Sequence, residues 1–334
     1  MIIGILNETN HHENRVCITP QNVKKYILQG FKVLIETNAG IKAGFDNKQY
    51  ISSGAKIKKN SKEILQQSNI ILKIKPPTIN ELKDVQKSAF IIGNFQNSIP
   101  NDLLKQIRQK SLNCFALEKT PRISKAQNFD ILSSQDNLSG YQAVIKACEL
   151  LKKSVPMMIT SAGSLPPIKF LILGIGVSGL QAIATATRLG GKVYAHDIRA
   201  ETKEQAQSLG AVFVQNINEI LSEIDVIIAS AFSSSQKAPI LIKKNMLKKM
   251  SKGAVIIDMA ISNGGNIEGS QNLKTSIIHN CSVYANSNLA NQIPQSASIL
   301  YSNNLSNFIT YLGLTPGTEL SLNKADEIIK ATLI

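Results

Sequence analysis

Gly174, Gly176 and Gly179 lie in LILGIGVSGLQAIATATRLGGKVYAHDIRA (171–200), between an apolar run and a helix-like one. GxGxxG at a strand–helix junction suits the cradling of a pyrophosphate. Gly174 permits the tight turn, Gly176 lets a phosphate approach the backbone, and Gly179 lets helix and strand pack closely. The helix start offers unpaired N–H groups and partial positive charge. Asp197 closes the next apolar run, 23 residues after Gly174. A carboxylate there accepts from ribose hydroxyls and repels a 2′-phosphate, which favours NAD(H) over NADP(H). Arg199 is the opposing signal, since an arginine can receive that phosphate or pair with Asp197. The bland alternative is a glycine-rich turn that holds no ligand.

The elements that must position this turn alternate along the chain. MIIGIL reads as a buried strand. TPQNVKKYILQG reads as a helix with Thr19 as N-cap, Pro20 at its first position and Gly30 as its stop. KVLIE, NIILKIK, SAFIIGN and NCFAL read as strands, with PNDLLKQIRQKS a helix between the last two. A long helix is expected at about 137–154, with Val144, Ala147 and Leu151 on one face. A second βα series follows: IKFLILG, KVYAHD, AVFV, DVIIAS and GAVIIDMAI, with a helix near 200–209. SASILYSNNLSNFITYLG (296–313) reads as a closing amphipathic helix. Short βα connections imply α/β architecture with mostly parallel sheets. The expected arrangement is two Rossmann-like domains linked by two long helices. One is discontinuous, 1–138 plus 296–334; the other, 139–295, binds the nucleotide.

Composition excludes several classes. No run approaches the length of a membrane span, and MIIGILNETN lacks the basic start of a signal peptide. Cys17, Cys114, Cys148 and Cys281 show no CxxC spacing, so neither a disulfide framework nor a zinc site is expected. The net charge of +14 comes largely as dispersed lysine pairs, which reads as a solvated surface and not a nucleic-acid stripe. His11, His12, His196 and His279 do not gather into a site.

A second signature is PRISKAQNFDILSSQDNLSGYQAV (121–144). It resembles the soluble NAD(H)-binding portion of the alpha subunit of proton-translocating NAD(P)+ transhydrogenase. ENRVCITP (13–20), SAGSLPPIKFLILGIGVSGLQAI, VIIDMAISNGGN and LSLNKADEIIKATLI extend the resemblance over nearly the whole chain. It implies that Arg122, Gln127, Asp130 and Ser133 belong to a loop against the nicotinamide ring. Gln127 would hydrogen-bond that region, supported by Arg122 and Asp130 as a charged pair. It implies that Val177, Asp197, Ile198 and Arg199 line the adenosine and pyrophosphate, with Phe232 facing the nucleotide.

The implied partners are membrane-spanning and NADP(H)-binding transhydrogenase subunits and a second copy of the chain. The implied place is the cytoplasmic face of the inner membrane, reached through the partner. Members of the family carry a longer, flexible segment where QNINEILSEI joins two strands here, and SSSQKAP (233–239) departs from their pattern.

Alanine dehydrogenases share the two-domain pattern and keep a second reading open. Arg15 and Lys75 stand where those enzymes hold substrate, but Gln96 and Ser262 replace their histidine and aspartate. Imine reduction needs a proton donor, and losing one typically costs about 10²–10⁴-fold in rate. Hydride transfer between two nicotinamide rings needs none. A noncatalytic NAD(H)-binding subunit is the third reading.

Overall fold

The central strand-forming runs, such as IIGI, IIL, FIIG and VIIA, are apolar, as suits strands covered on both faces. The computed structural model describes residues 1–9, 13–96, 99–232, 237–317 and 322–334. By internal contacts the chain divides into two units: Met1–Gln135 with Ile293–Ile334, and Asp136–Gln292.

The first unit runs β1 (Ile2–Ile5), α1 (Pro20–Leu28), β2 (Lys32–Glu36), α2 (Asn47–Ser52), β3 (Lys56–Lys58), α3 (Ser61–Gln67), β4 (Ile70–Leu72), α4 (Ile79–Asp84), β5 (Phe90–Gly93), α5 (Asn101–Gln109) and β6 (Asn113–Ala116). The strands form one parallel sheet in the order β3-β2-β1-β4-β5-β6. Alternate residues feed opposite faces: Ile70, Leu72 and Ile92 join one core, Ile71 and Ile91 the other. Pro20 opens α1, and Gly30 reverses the chain at φ +88°, a conformation that favours glycine.

Helix α6 (Ile131–Leu151) crosses the division between the units. It begins before the expected 137 because Asp130 supplies its start: the carboxylate accepts from Ser133 N at 2.9 Å and Ser133 Oγ at 2.6 Å. Val144, Ala147 and Leu151 are buried in the second unit's core.

The second unit continues with β7 (Met158–Thr160), β8 (Gly163–Leu165), β9 (Lys169–Leu173), α7 (Val177–Arg188), β10 (Lys192–His196), α8 (Thr202–Ser208), β11 (Val212–Phe213), β12 (Val226–Ala229), α9 (Lys244–Leu247), β13 (Val255–Asp258), β14 (Thr275–Ile278) and β15 (Cys281–Ala285). Its main sheet has the order β11-β10-β9-β12-β13-β15-β14, parallel except for β14. Strand order reverses at β9, with β10 on one side and β12 on the other. Such a reversal opens a crevice at the carboxyl ends of the strands.

Helices α10 (Pro294–Tyr311) and α11 (Glu327–Thr332) return to the first unit. Phe308 of α10 packs edge-on against Phe115 and Phe129, with ring centroids 5.3 Å away in each case. The α/β class with mostly parallel sheets is as expected. The sequence reading missed β3, the β7–β8 hairpin and the antiparallel β14–β15 pair. Among the described residues, no helix is long and apolar enough to cross a membrane.

Leu305 of α10 is fully buried. Leu305→Ala should destabilise the first unit by about 2–5 kcal/mol, read as a lower denaturant midpoint. A loss well under about 1 kcal/mol would show that α10 does not close this core.

Candidate functional site

The glycine turn sits at the reversal point of the second sheet. Gly174 follows β9 at φ +89°, and its N–H donates to His196 O at 2.9 Å. A Cβ there would lie 2.8 Å from the Ala231 backbone, so the position is closed twice over. Gly179, in the first turn of α7, is closed by contact alone: a Cβ would lie 2.0 Å from Gly174 O. Gly140 of α6 presses on the same turn, its Cβ position 2.1 Å from Ser178 O.

Gly176 differs from these. It is the N-cap of α7, at φ −90°, and a Cβ there meets nothing within 4 Å. Neither backbone strain nor packing requires glycine at this position. It has no side chain to cap the helix, so the first-turn N–H groups of α7 receive no side-chain cap. An uncapped helix start beside open space is the geometry that accepts a phosphate.

Asp197 ties the turn to the end of β10. Its Oδ2 accepts from Ile175 N at 2.7 Å. Arg199 closes on the same carboxylate, Nε to Oδ1 at 3.0 Å and Nη2 to Oδ2 at 2.9 Å, while Arg199 N donates to Oδ1 at 2.9 Å. Burial alone would raise the carboxyl's pKa. The Arg199 hydrogen bonds and the two backbone N–H groups outweigh burial and bring it down to about 2. Arg199 Nη2 also donates to Ile175 O at 3.2 Å.

Three exposed apolar residues follow the ends of neighbouring strands: Val177 after β9, Ile198 after β10 and Phe232 after β12. Ile198 is 93% exposed, a degree that packing within the chain does not explain. Phe232 begins a loop whose residues 233–236, most of the altered SSSQKAP stretch, lie outside the described residues. Asn266 spans that loop's two ends. Its Nδ2 donates to Ala231 O (2.7 Å) and Pro239 O (2.8 Å), and its Oδ1 accepts from Ala231 N (3.0 Å). The fully buried Asp258 in turn accepts from Asn266 N at 3.1 Å, Ile267 N at 3.2 Å and Ser270 Oγ at 2.8 Å. Both residues lie in the VIIDMAISNGGN run, where spacing alone assigns them no role.

The first unit holds the other expected residues. Residues Ser124–Phe129 form 3₁₀ turns in which Ala126 and Phe129 are buried, while Arg122 and Gln127 are exposed. Asp130 and Ser133 are brought together as the start of α6. Among the described residues, no ion pair joins Arg122 to Asp130; the Asp130 carboxylate is taken by Ser133 instead.

Arg15 is buried and engaged by Glu13 (Nε–Oε1 2.7 Å, Nη2–Oε2 2.9 Å) and by Gln135 (2.8 Å). The buried lysine of this region is Lys73, not Lys75: its Nζ lies 2.8 Å from Glu81 and 3.7 Å from Glu8. Burial raises the Glu8 pKa despite the facing Lys73. Burial opposes the charge on Lys73, but Glu8 and Glu81 prevail and hold its pKa above the usual lysine value. Gln96 and Ser262 are both exposed. His196 Nδ1 lies 2.9 Å from Val214 O, a structural contact; His11 and His12 lie outside the described residues.

The family descriptions "Alanine dehydrogenase/PNT, N-terminal domain" and "Alanine dehydrogenase/PNT, C-terminal domain" match residues 4–139 and 143–334. The chain belongs to this family. The first segment of NAD(P) transhydrogenase subunit alpha of Rickettsia prowazekii (strain Madrid E) is 38% identical over 365 residues, covering 100% of this chain and 94% of the relative. The solved structure of a transhydrogenase from Sinorhizobium meliloti matches with a TM-score of 0.93 and 35% identity, over 100% of this chain and 98% of that one. Alanine dehydrogenase of Bacillus subtilis (strain 168) is 28% identical over 285 residues, covering 82% of this chain and 74% of the enzyme. The resemblance read from the motifs is borne out.

Two substitutions separate a packing glycine from a ligand glycine within this family turn. Gly179→Ala should destabilise the second unit by about 1–3 kcal/mol, because backbone cannot move aside cheaply. Gly176→Ala should leave the unfolding midpoint within about 0.5 kcal/mol of wild type and weaken NADH binding by about tenfold or more, because its Cβ would hold a phosphate off the backbone. Equal stability losses at both positions would leave Gly176 no role beyond packing.

Acid titration tests the Asp197 pairing. Its folded pKa is depressed, so its contribution is complete above the ordinary aspartate range and is lost as pH falls toward about 2. The stability gap between wild type and Asp197→Asn should therefore narrow across that window. A gap that stays constant with pH would show that the charge contributes nothing.

Proposed function

We propose that the chain is the NAD(H)-binding component of a proton-translocating NAD(P)+ transhydrogenase of the Re/Si-specific type. The observation that carries this reading is the α7 start: an uncapped helix terminus, a Gly176 that neither packing nor backbone strain requires, and an ionised Asp197 at the neighbouring strand end. Two relatives whose names include transhydrogenase, aligned over 94% and 98% of their own lengths, support it.

In this reading Gly174, Gly176 and Val177 form the turn that receives the pyrophosphate, Gly179 seats that turn against β9, and Asp197 takes the adenosine ribose hydroxyls. Because Arg199 now occupies that carboxylate, the ribose exchanges with it or shares it, and Arg199 becomes available to phosphate. Val177, Ile198 and Phe232 offer apolar surface to the adenosine. Arg122, Gln127, Asp130 and Ser133 form the nicotinamide-facing set, with Gln127 and Arg122 the exposed donors.

The reaction is NADH + NADP⁺ ⇌ NAD⁺ + NADPH, with NADP(H) carried by the partner. One hydride moves and no heteroatom changes its protonation, so the residues act by placement and by excluding water. Proton movement belongs to the membrane-spanning partner. The chain would dock at the membrane's cytoplasmic face as a homodimer.

Arg15 and the alanine dehydrogenase relatives favour a second reading, NAD-dependent amino-acid oxidation. Exposed Gln96 and Ser262, which replace a histidine and an aspartate, weigh against it.

Hydride exchange between NADH and an NAD⁺ analogue is the deciding assay. It should appear only with an NADP(H)-loaded partner domain. Gln127→Asn should slow it by about tenfold while NADH affinity stays near wild type. Pyruvate- and ammonium-dependent NADH oxidation by the isolated chain would replace this reading with the second. Tight NADH binding with neither activity would leave a noncatalytic subunit.

A further inference from the structure

The loop that carries Gln127 is fastened to α10. Asn304 Nδ2 donates to Asn128 O at 2.9 Å, and Asn307 Nδ2 donates to the same oxygen at 2.9 Å. Positions 304 and 307 are three apart and so share a helix face. Together they fill both lone pairs of one carbonyl. Asn304 Oδ1 also accepts from Ser134 Oγ at 2.7 Å. One helix therefore holds the end of the loop and the first turn of α6, where Asp130 and Ser133 sit.

Other contacts fix the rest of the segment. Phe129 packs on Phe308 and Tyr311, with ring centroids 5.3 and 5.2 Å away. At the front of the loop, Lys125 Nζ lies 3.6 Å from Asp326 and 5.0 Å from the centre of the Tyr311 ring. Tyr311 OH donates to the same Asp326 at 2.6 Å. Between these tethers stand buried Ala126 and exposed Gln127. The backbone of Gln127 is thus held on both sides while its side chain remains outward.

We propose that Asn304 and Asn307 are positioning residues for hydride transfer, setting the placement of Gln127 through the Asn128 carbonyl. This rests on the functional reading above. Direct transfer between rings depends on geometry, and a displacement of about 1 Å can cost about 10²-fold in rate. Phe129 packing holds the loop on α10, and the two hydrogen bonds to one atom fix the direction of the Asn128 carbonyl.

Asn307 is exposed, so Asn307→Ala tests the clamp with little risk to folding; Asn304→Ala/Asn307→Ala removes it. Three quantities are measured on the full chain: hydride transfer with the NADP(H)-loaded partner, NADH affinity by fluorescence, and amide exchange of residues 124–130. The single variant should transfer hydride about 3- to 10-fold more slowly and the double variant about 10²-fold more slowly. NADH affinity should stay within about twofold, and exchange across 124–130 should rise. Wild-type transfer rates in Asn307→Ala would overturn the proposal, as would NADH affinity lost in proportion to rate. If the wild-type chain transfers no hydride, the functional reading fails on its own. Exchange then decides the clamp, and unchanged protection in the variants overturns it.

Discussion

The closest constraint in the second unit is a contact between backbones. A side chain at position 179 would strike the Gly174 carbonyl, and one at position 140 would strike the Ser178 carbonyl. The first turn of α7 is therefore seated between the end of β9 and the flank of α6 at a separation only glycines permit. That seating fixes the direction of the uncapped N–H groups. It also brings Ile175 N within reach of Asp197, so the carboxylate at the end of β10 is set by the same contact. Charge, donors and open space meet there because two missing side chains let the helix come close.

Buried charge is satisfied in two ways. In the first unit, carboxylates meet cations: Glu13 pairs with Arg15, and Glu8 and Glu81 flank Lys73. Such pairs contribute little net stability, because desolvation opposes the attraction. Their effect is registry. Glu8 accepts from Ile74 N at 2.8 Å and Lys75 N at 2.9 Å, tying the chain after β1 to the chain after β4. In the second unit no ion pair reaches Asp258 among the described residues; it is held by backbone N–H groups and Ser270. Through Asn266 it fixes the two ends of the loop that starts at Phe232. Both devices place loops at the carboxyl edges of the sheets, where ligands of open α/β sheets bind.

How far these features could be read from the sequence follows from their physics. Parallel strands were legible because burial on both faces demands uninterrupted apolar runs, as in KFLIL and VIIA. The glycine turn was legible because three glycines at fixed spacing have few other uses. Strand β3 was not, since Lys56–Lys58 is an edge strand with little burial. The β7–β8 hairpin was not, because all its residues are exposed and no apolar pattern marks it. The start of α6 was misplaced because its cap comes from Asp130, a residue read only for ligand contact. The roles of Lys73, Asp258 and Asn266 depend on partners distant in sequence, which spacing does not reveal.

The distribution of fixed and free groups has a consequence for the chemistry. Asp197, held near a pKa of about 2, stays ionised across the physiological range and has no proton to give. Gln127, the exposed member of the clamped loop, does not titrate at all. Neither group would supply a proton to the proposed hydride transfer, and the part proposed for Gln127 is to help hold a ring still. That requires a rigid backbone beneath an open side chain, the condition Asn128 meets with both lone pairs filled from one helix. Ordering a long side chain costs up to about 2 kcal/mol. If a dinucleotide binds there as proposed, a backbone already fixed by folding removes its own ordering cost from the binding step.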